Sequence, residues 1–138
     1  MSNILILDDI RTFEDGDGRT FTHARTNADA VDALENESFD EIWIDWDLSA
    51  TDKRMPTSEP FVKLIAKANP QGVQVRIITD MPERAAWMSK ALGALTTPAV
   101  ITTIGARWHA DKYGPDWDDQ YEREFFEAAG IPQASKSR

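Results

Sequence analysis

Apolar residues along this chain fall into two rhythms, short unbroken runs and stripes at helical spacing, and the two alternate. Ile4, Leu5, Ile6 and Leu7 form an unbroken run ending at Asp8, the pattern of a strand covered on both faces. The polar, glycine-bearing stretch IRTFEDGDGRT follows as loop, and a short strand is predicted at Arg19–Ala24. TNADAVDALENE reads as a helix, with Asn27 as its cap and Ala28, Val31 and Leu34 on one face. Glu41–Asp45 is the next strand, and the long polar LSATDKRMPTS separates it from a helix that begins near Glu59. That helix carries Phe61, Leu64, Ile65 and Ala68 at i, i+3, i+4 and i+7, and NPQG ends it.

Val73–Thr79, rich in β-branched residues, predicts a fourth strand. Pro82 suits the first turn of a helix whose inner side holds Ala85, Met88 and Leu92, with Gly93 as terminator. Ala99–Ile104 is a fifth strand. A final helix is predicted from about Asp116 to Ala129, with Trp117, Tyr121 and Phe125 at i, i+4 and i+8; this stripe is either core-facing or a partner surface. Strands alternating with helices imply an α/β fold, an open parallel five-stranded sheet with helices on both faces. Roughly eleven residues without helical periodicity join the first two strands, where a parallel crossover takes on the order of a dozen. The usual first helix is therefore replaced by a loop. Residues 1–130 are expected to form one domain and 131–138 a loose tail.

Composition narrows the function. The 138 residues are 41% hydrophobic and 28% charged, an ordinary globular balance. Twenty-four acids against 15 bases give a formal charge of −9, which disfavours extended nucleic acid as a partner. No apolar run approaches the roughly 18 residues of a membrane span, and MSNILILDD has no basic n-region. A cytoplasmic location without membrane attachment is expected. Cysteine is absent, which removes disulfides and thiolate metal sites. The two histidines, His23 and His109, cannot make a histidine-rich zinc centre.

The charge is not spread evenly. ILILDD places Asp8 and Asp9 after the first strand, EIWIDWDL places Asp45 and Asp47 at the end of the third, and Thr79 and Asp80 end the fourth. Ligands of open parallel sheets bind beyond the carboxyl ends of the strands. If the first, third and fourth strands are neighbours, these acids converge and need a hard divalent cation, for which Mg²⁺ is the best match. Each pair taken singly reads rather as a solvated strand end or the cap of a neighbouring loop; it is the two pairs together, on alternate strands of one sheet, that point to the metal. Trp46 covers the core rim or stacks on a nucleobase. Arg11 binds a ligand phosphate or pairs with Glu14 or Asp15. DGDG at 15–18 reads as a turn, because the ligand spacing of a calcium loop does not continue. GARWHADKYGPDW either closes over an anion or leads into the last helix. No glycine-rich phosphate loop, serine-hydrolase elbow or kinase signature is present.

LILDD, FDEIWID and RIIT, in this order and spacing, resemble the receiver domain of two-component response regulators across most of residues 4–105. LDDIR, DWDLS and MPERAAWM are closer to a divergent branch, the cyclic-phosphate processing receiver domain, which lacks the first helix. The resemblance implies a flavodoxin-like fold, Mg²⁺ on Asp8, Asp9 and Asp45, and a phosphate gripped by Arg11 and Thr79. Arg107 would substitute for the lysine that receivers carry after the fifth strand. Asp45 and Asp47 are the catalytic candidates. Trp46 stands where the branch has a histidine.

Three functions remain open. The first is metal-dependent binding, and processing, of a phosphate-bearing small molecule. The second is a signalling module phosphorylated at Asp45, and the third is a non-catalytic domain for a protein partner.

Overall fold

The computed structural model describes residues 2–16, 18–79 and 81–101. The strands are β1 (Ser2–Leu7), β2 (Arg19–Ala24), β3 (Glu41–Ile44), β4 (Gln74–Ile77) and β5 (Val100–Ile101), and the helices α1 (Asn27–Asn36), α2 (Glu59–Ala68) and α3 (Pro82–Ala91). All strand pairs are parallel, in the order β2-β1-β3-β4-β5. The order reverses between β1 and β3, which opens a crevice at their carboxyl ends. Hydrogen bonding continues past the strand ends: Asp8 N–H donates to Ala24 O, Asp45 N–H to Leu7 O and Ile78 N–H to Ile44 O. These bonds hold Asp8 and Asp45 side by side at the rim.

Alternation along β1 and β3 divides the core. Leu5, Leu7, Ile42, Ile44, Val75 and Ile77 join Ala30, Phe61, Val62, Ile65, Ala85, Met88 and Leu92 in one buried cluster, so α1, α2 and α3 share one face of the sheet. On the opposite face lie Ile4, Ile6 and Trp43, all buried. There the Phe13 ring, brought over by the β1–β2 loop, stacks on Phe21 at 5.5 Å and meets Trp43 edge-on at 5.4 Å. The alternation predicted helices on both faces, whereas the described helices occupy one. The predicted helix at Asp116–Ala129, the end of the fifth strand and the proposed tail lie outside the described residues.

Among its described residues the β1–β2 connection contains no helix, as its lack of periodicity predicted. Backbone groups that a helix would satisfy find other partners. Asp8 Oδ1 accepts from Ile10 and Arg11 N–H, Phe13 N–H donates to His23 Nε2, and Asp15 Oδ1 accepts from Phe21 N–H. Gly16 and Arg19 exchange both backbone bonds across the expected turn, with Gly18 at φ +75°. Because His23 accepts at Nε2, its proton sits on Nδ1. Burial first, then the charge of Arg25, lowers its pKa.

Helix details correct the sequence reading in three places. The cap of α1 is Thr26, whose hydroxyl accepts from Asp29 N–H, and not Asn27. The Asn27 amide is buried and committed to Asp52 Oδ2 and Thr57 O. Ala28 is exposed and Ala30 buried. In α2, Phe61, Val62 and Ile65 face the core while Leu64 and Ala68 are exposed. Apolar residues occupy so much of this helix that spacing alone did not fix which stripe turns inward. The inner side of α3 is as predicted, with Ala85, Met88 and Leu92 buried.

Ser58 stands at the N-cap of α2, yet its hydroxyl makes no capping bond. The residue is fully buried, and its Oγ has no hydrogen-bond partner among the described residues. Loss of a working cap costs about 1 kcal/mol, but burial of an unsatisfied hydroxyl is itself unfavourable. Ser58→Ala is therefore expected to leave urea stability unchanged or raise it by up to ~1 kcal/mol. A clear loss of stability would show that the hydroxyl is engaged.

Candidate metal centre

Two loops bring the acids together. After β1 the chain turns tightly around Asp8, which is fully buried. Its Oδ1 holds the Ile10 and Arg11 N–H groups, each at 2.9 Å, and its Oδ2 accepts from Arg11 Nη1 at 2.9 Å. Asp9, half-buried, accepts the Ala50 N–H through Oδ2 at 3.1 Å. At the end of β3 the buried Asp45 accepts the Trp46 N–H through Oδ1, and its Oδ2 lies 3.8 Å from Arg11 Nη1. Asp8, Asp9 and Asp45 each offer one oxygen, and the three oxygens lie within 4.8 Å of one another.

One guanidinium stands among three carboxylates, and the imbalance shows in their proton affinities. Burial would push Asp8 up, but the Arg11 charge and the N–H groups of Arg11 and Ile10 outweigh it and hold its pKa below the usual range. Asp45 is driven well above that range, first by burial and then by the charge of Asp8, against the pull of Arg11 and the Trp46 N–H. Burial also raises Asp9, with Asp8 and Asp47 adding repulsion and the Ala50 N–H opposing. Such a cluster of hard oxygens, short of positive charge, fits a hard divalent cation. With only three side chains as donors, the remaining positions of a six-coordinate ion would be left for water or a ligand.

Asp47 is half-buried outside the three-oxygen group; its Oδ1 accepts from Ser49 N–H, and its charge reaches Asp9. Thr79 is fully buried just beyond β4, the neighbour of β3, and its Oγ1 accepts from Met81 N–H at 3.3 Å. Arg11 is buried in the cluster on Asp8 and Asp45, a pairing that the sequence reading did not weigh. Arg107 lies outside the described residues. Trp46 is buried in the helix-side core, edge-on to Trp87 at 5.2 Å, with the Arg84 guanidinium 5.1 Å above its ring. It covers the core rim.

One residue of this corner escaped the sequence reading altogether. Arg25, at the end of β2, reaches the loop that carries Asp8, Asp9 and Arg11. No local pattern marks it, because only the pairing of β2 with β1 carries its side chain there.

Among the described residues no helix is long and apolar enough to cross a membrane. A search of curated proteins finds no match to the chain. The sequence model of the cyclic-phosphate processing receiver domain matches residues 3–94, which span β1 through α3 and every described residue of the acidic corner. With the doubly wound strand order and the acids at its switch point, that match shows that the chain belongs to the cyclic-phosphate processing receiver domain family.

Proposed function

We propose that the chain binds Mg²⁺ on Asp8, Asp9 and Asp45 and, beside it, the phosphate of a small molecule, and that it hydrolyses a cyclic phosphate there. The observation that carries this reading is the convergence of three carboxylates from two adjacent strands, with Asp45 and Asp9 pushed toward protonation by burial and by the negative charge of their neighbours. The family description supplies the substrate class. A bound divalent cation polarises phosphorus–oxygen bonds and makes a coordinated water more acidic.

The side chains divide the remaining work. Arg11 Nη1 already bridges toward Asp8 and Asp45 and offers its charge to an anion at the mouth. The Thr79 hydroxyl, at the end of the adjacent strand, donates to a phosphate oxygen. Arg107 is a further candidate cation. With Trp46 in place of a histidine, a carboxylate has to move the proton. Asp47 accepts it from the attacking water and returns it to the leaving ester oxygen.

The trial is turnover of a 2′,3′-cyclic nucleotide, followed by ³¹P NMR with Mg²⁺ and with chelator. Hydrolysis is expected only with the metal, to vanish in Asp45→Asn, and to fall by about 10²-fold or more in Asp47→Asn. Turnover that ignores both chelator and Asp45→Asn would remove the assignment.

A further inference from the structure

We infer that Arg25 is a positioning residue of the acidic site, doing for the loop after β1 what the missing helix would otherwise do. This rests on the metal reading above. In a doubly wound sheet the first strand normally feeds a helix, whose own hydrogen bonds fix the backbone that carries the acids. Here the crossover is a loop, and its carbonyls need donors from elsewhere. Arg25 supplies them: Nη1 donates to Asp8 O at 2.9 Å and to Arg11 O at 2.7 Å, while Nη2 donates to Thr12 Oγ1 at 2.8 Å. A planar guanidinium with a fixed fork of donors holds two carbonyls and a hydroxyl in one geometry. A lysine ammonium lacks that planar fork.

The same residue is tied to the second acidic loop. Its carbonyl accepts from the Thr51 hydroxyl, and Thr51 follows Ala50, whose N–H fixes Asp9 Oδ2. Two residues on, Asn27 N–H and Nδ2 both donate to Asp52 Oδ2, at 3.0 and 3.2 Å. The β2–α1 corner thus sets the spacing between the loop bearing Asp8 and Asp9 and the loop that follows Asp45. Hard divalent ions with strict geometry are sensitive to such spacing, and outer partners of metal ligands are typically worth 10–100-fold in affinity.

The test compares Arg25→Met, Arg25→Lys and, as a matched destabilised control in the core of α2, Ile65→Val. Two quantities are read: the Mg²⁺ dissociation constant by calorimetry, and amide hydrogen exchange at Ile10 and Arg11, whose N–H groups bond Asp8 Oδ1. Both Arg25 variants are expected to weaken Mg²⁺ binding by about tenfold or more and to speed exchange at Ile10 and Arg11 selectively. Ile65→Val is expected to change neither selectively. Unchanged affinity together with unchanged exchange in Arg25→Met overturns the inference, as does an equal loss of Mg²⁺ affinity in Ile65→Val. If wild-type protein takes up no Mg²⁺, the metal reading fails, and the exchange rates alone decide whether Arg25 holds the loop.

Discussion

Replacing Asp45 with asparagine is expected to raise the melting temperature of the metal-free protein while abolishing its response to Mg²⁺. The buried Asp45 carboxylate faces Asp8 and Asp9 with only part of one guanidinium to offset them. Asparagine keeps the shape and can still accept the Trp46 N–H, but it carries no charge. The gain should be on the order of 1 kcal/mol, or about 3–5 °C for a domain of this size. The pH dependence separates this explanation from better packing. Asp45 has a raised pKa in the folded state, so as pH falls through that value the folded form takes up a proton that the unfolded chain still refuses, and stability rises. Asp8, held low, acts in the opposite sense: its contribution is present above the ordinary carboxylate value and is lost as pH falls through its depressed one. Mild acidification should therefore stabilise metal-free wild type more than Asp45→Asn. Melting curves in chelator across the mildly acidic range check this. A lower melting temperature for Asp45→Asn would mean that the charge is satisfied in some other way.

Removing Arg11 should do the most harm. Arg11→Met preserves much of the aliphatic stem but leaves the fully buried Asp8 without its guanidinium and Asp45 without its nearest positive charge. Breaking a buried ion pair from one side typically costs about 3–5 kcal/mol, a large share of the roughly 5–15 kcal/mol that holds a domain together. Mg²⁺ should restore part of the loss by binding the folded form alone, and more effectively than it stabilises wild type, because no guanidinium competes for the carboxylates. Urea titrations with and without Mg²⁺ measure both effects. Adding Asp45→Asn to Arg11→Met should also recover stability, since one buried negative charge is then gone. An Arg11→Met protein as stable as wild type in chelator would refute the account of Arg11 as the resident counter-charge.

Much of this was legible before the fold was known, and for definite reasons. Unbroken apolar runs located β1 and β3, and the acids that ended them fell on one rim because the two strands are neighbours. The missing first helix could be read from a connection too short and too polar to hold one. What sequence could not supply was the identity of partners across loops. Arg11 faced two readings, a ligand phosphate or a nearby acid, while the structure places it on Asp8 and Asp45. Asn27 looked like a helix cap, but its amide is used across the chain on Asp52 and Thr57. Arg25 carried no signal at all, since its targets are backbone carbonyls that any sequence possesses. In α2 the apolar positions exceeded what one stripe can bury, and tertiary packing made the choice.

The excursion between Trp46 and Ser58 bears on kinetics. Its two ends are stitched together by Leu48 N–H on Pro56 O and Ser58 N–H on Trp46 O, with Asp47 bridged to Thr57. Asn27 and Asp52 pin its middle to α1. The entropy of ordering this segment is therefore met when the chain folds and is not charged again when a ligand arrives. Entry into the acidic corner then meets a ready-made wall rather than a closing flap, so uptake rates should follow ionic strength and diffusion more than any slow rearrangement of this segment.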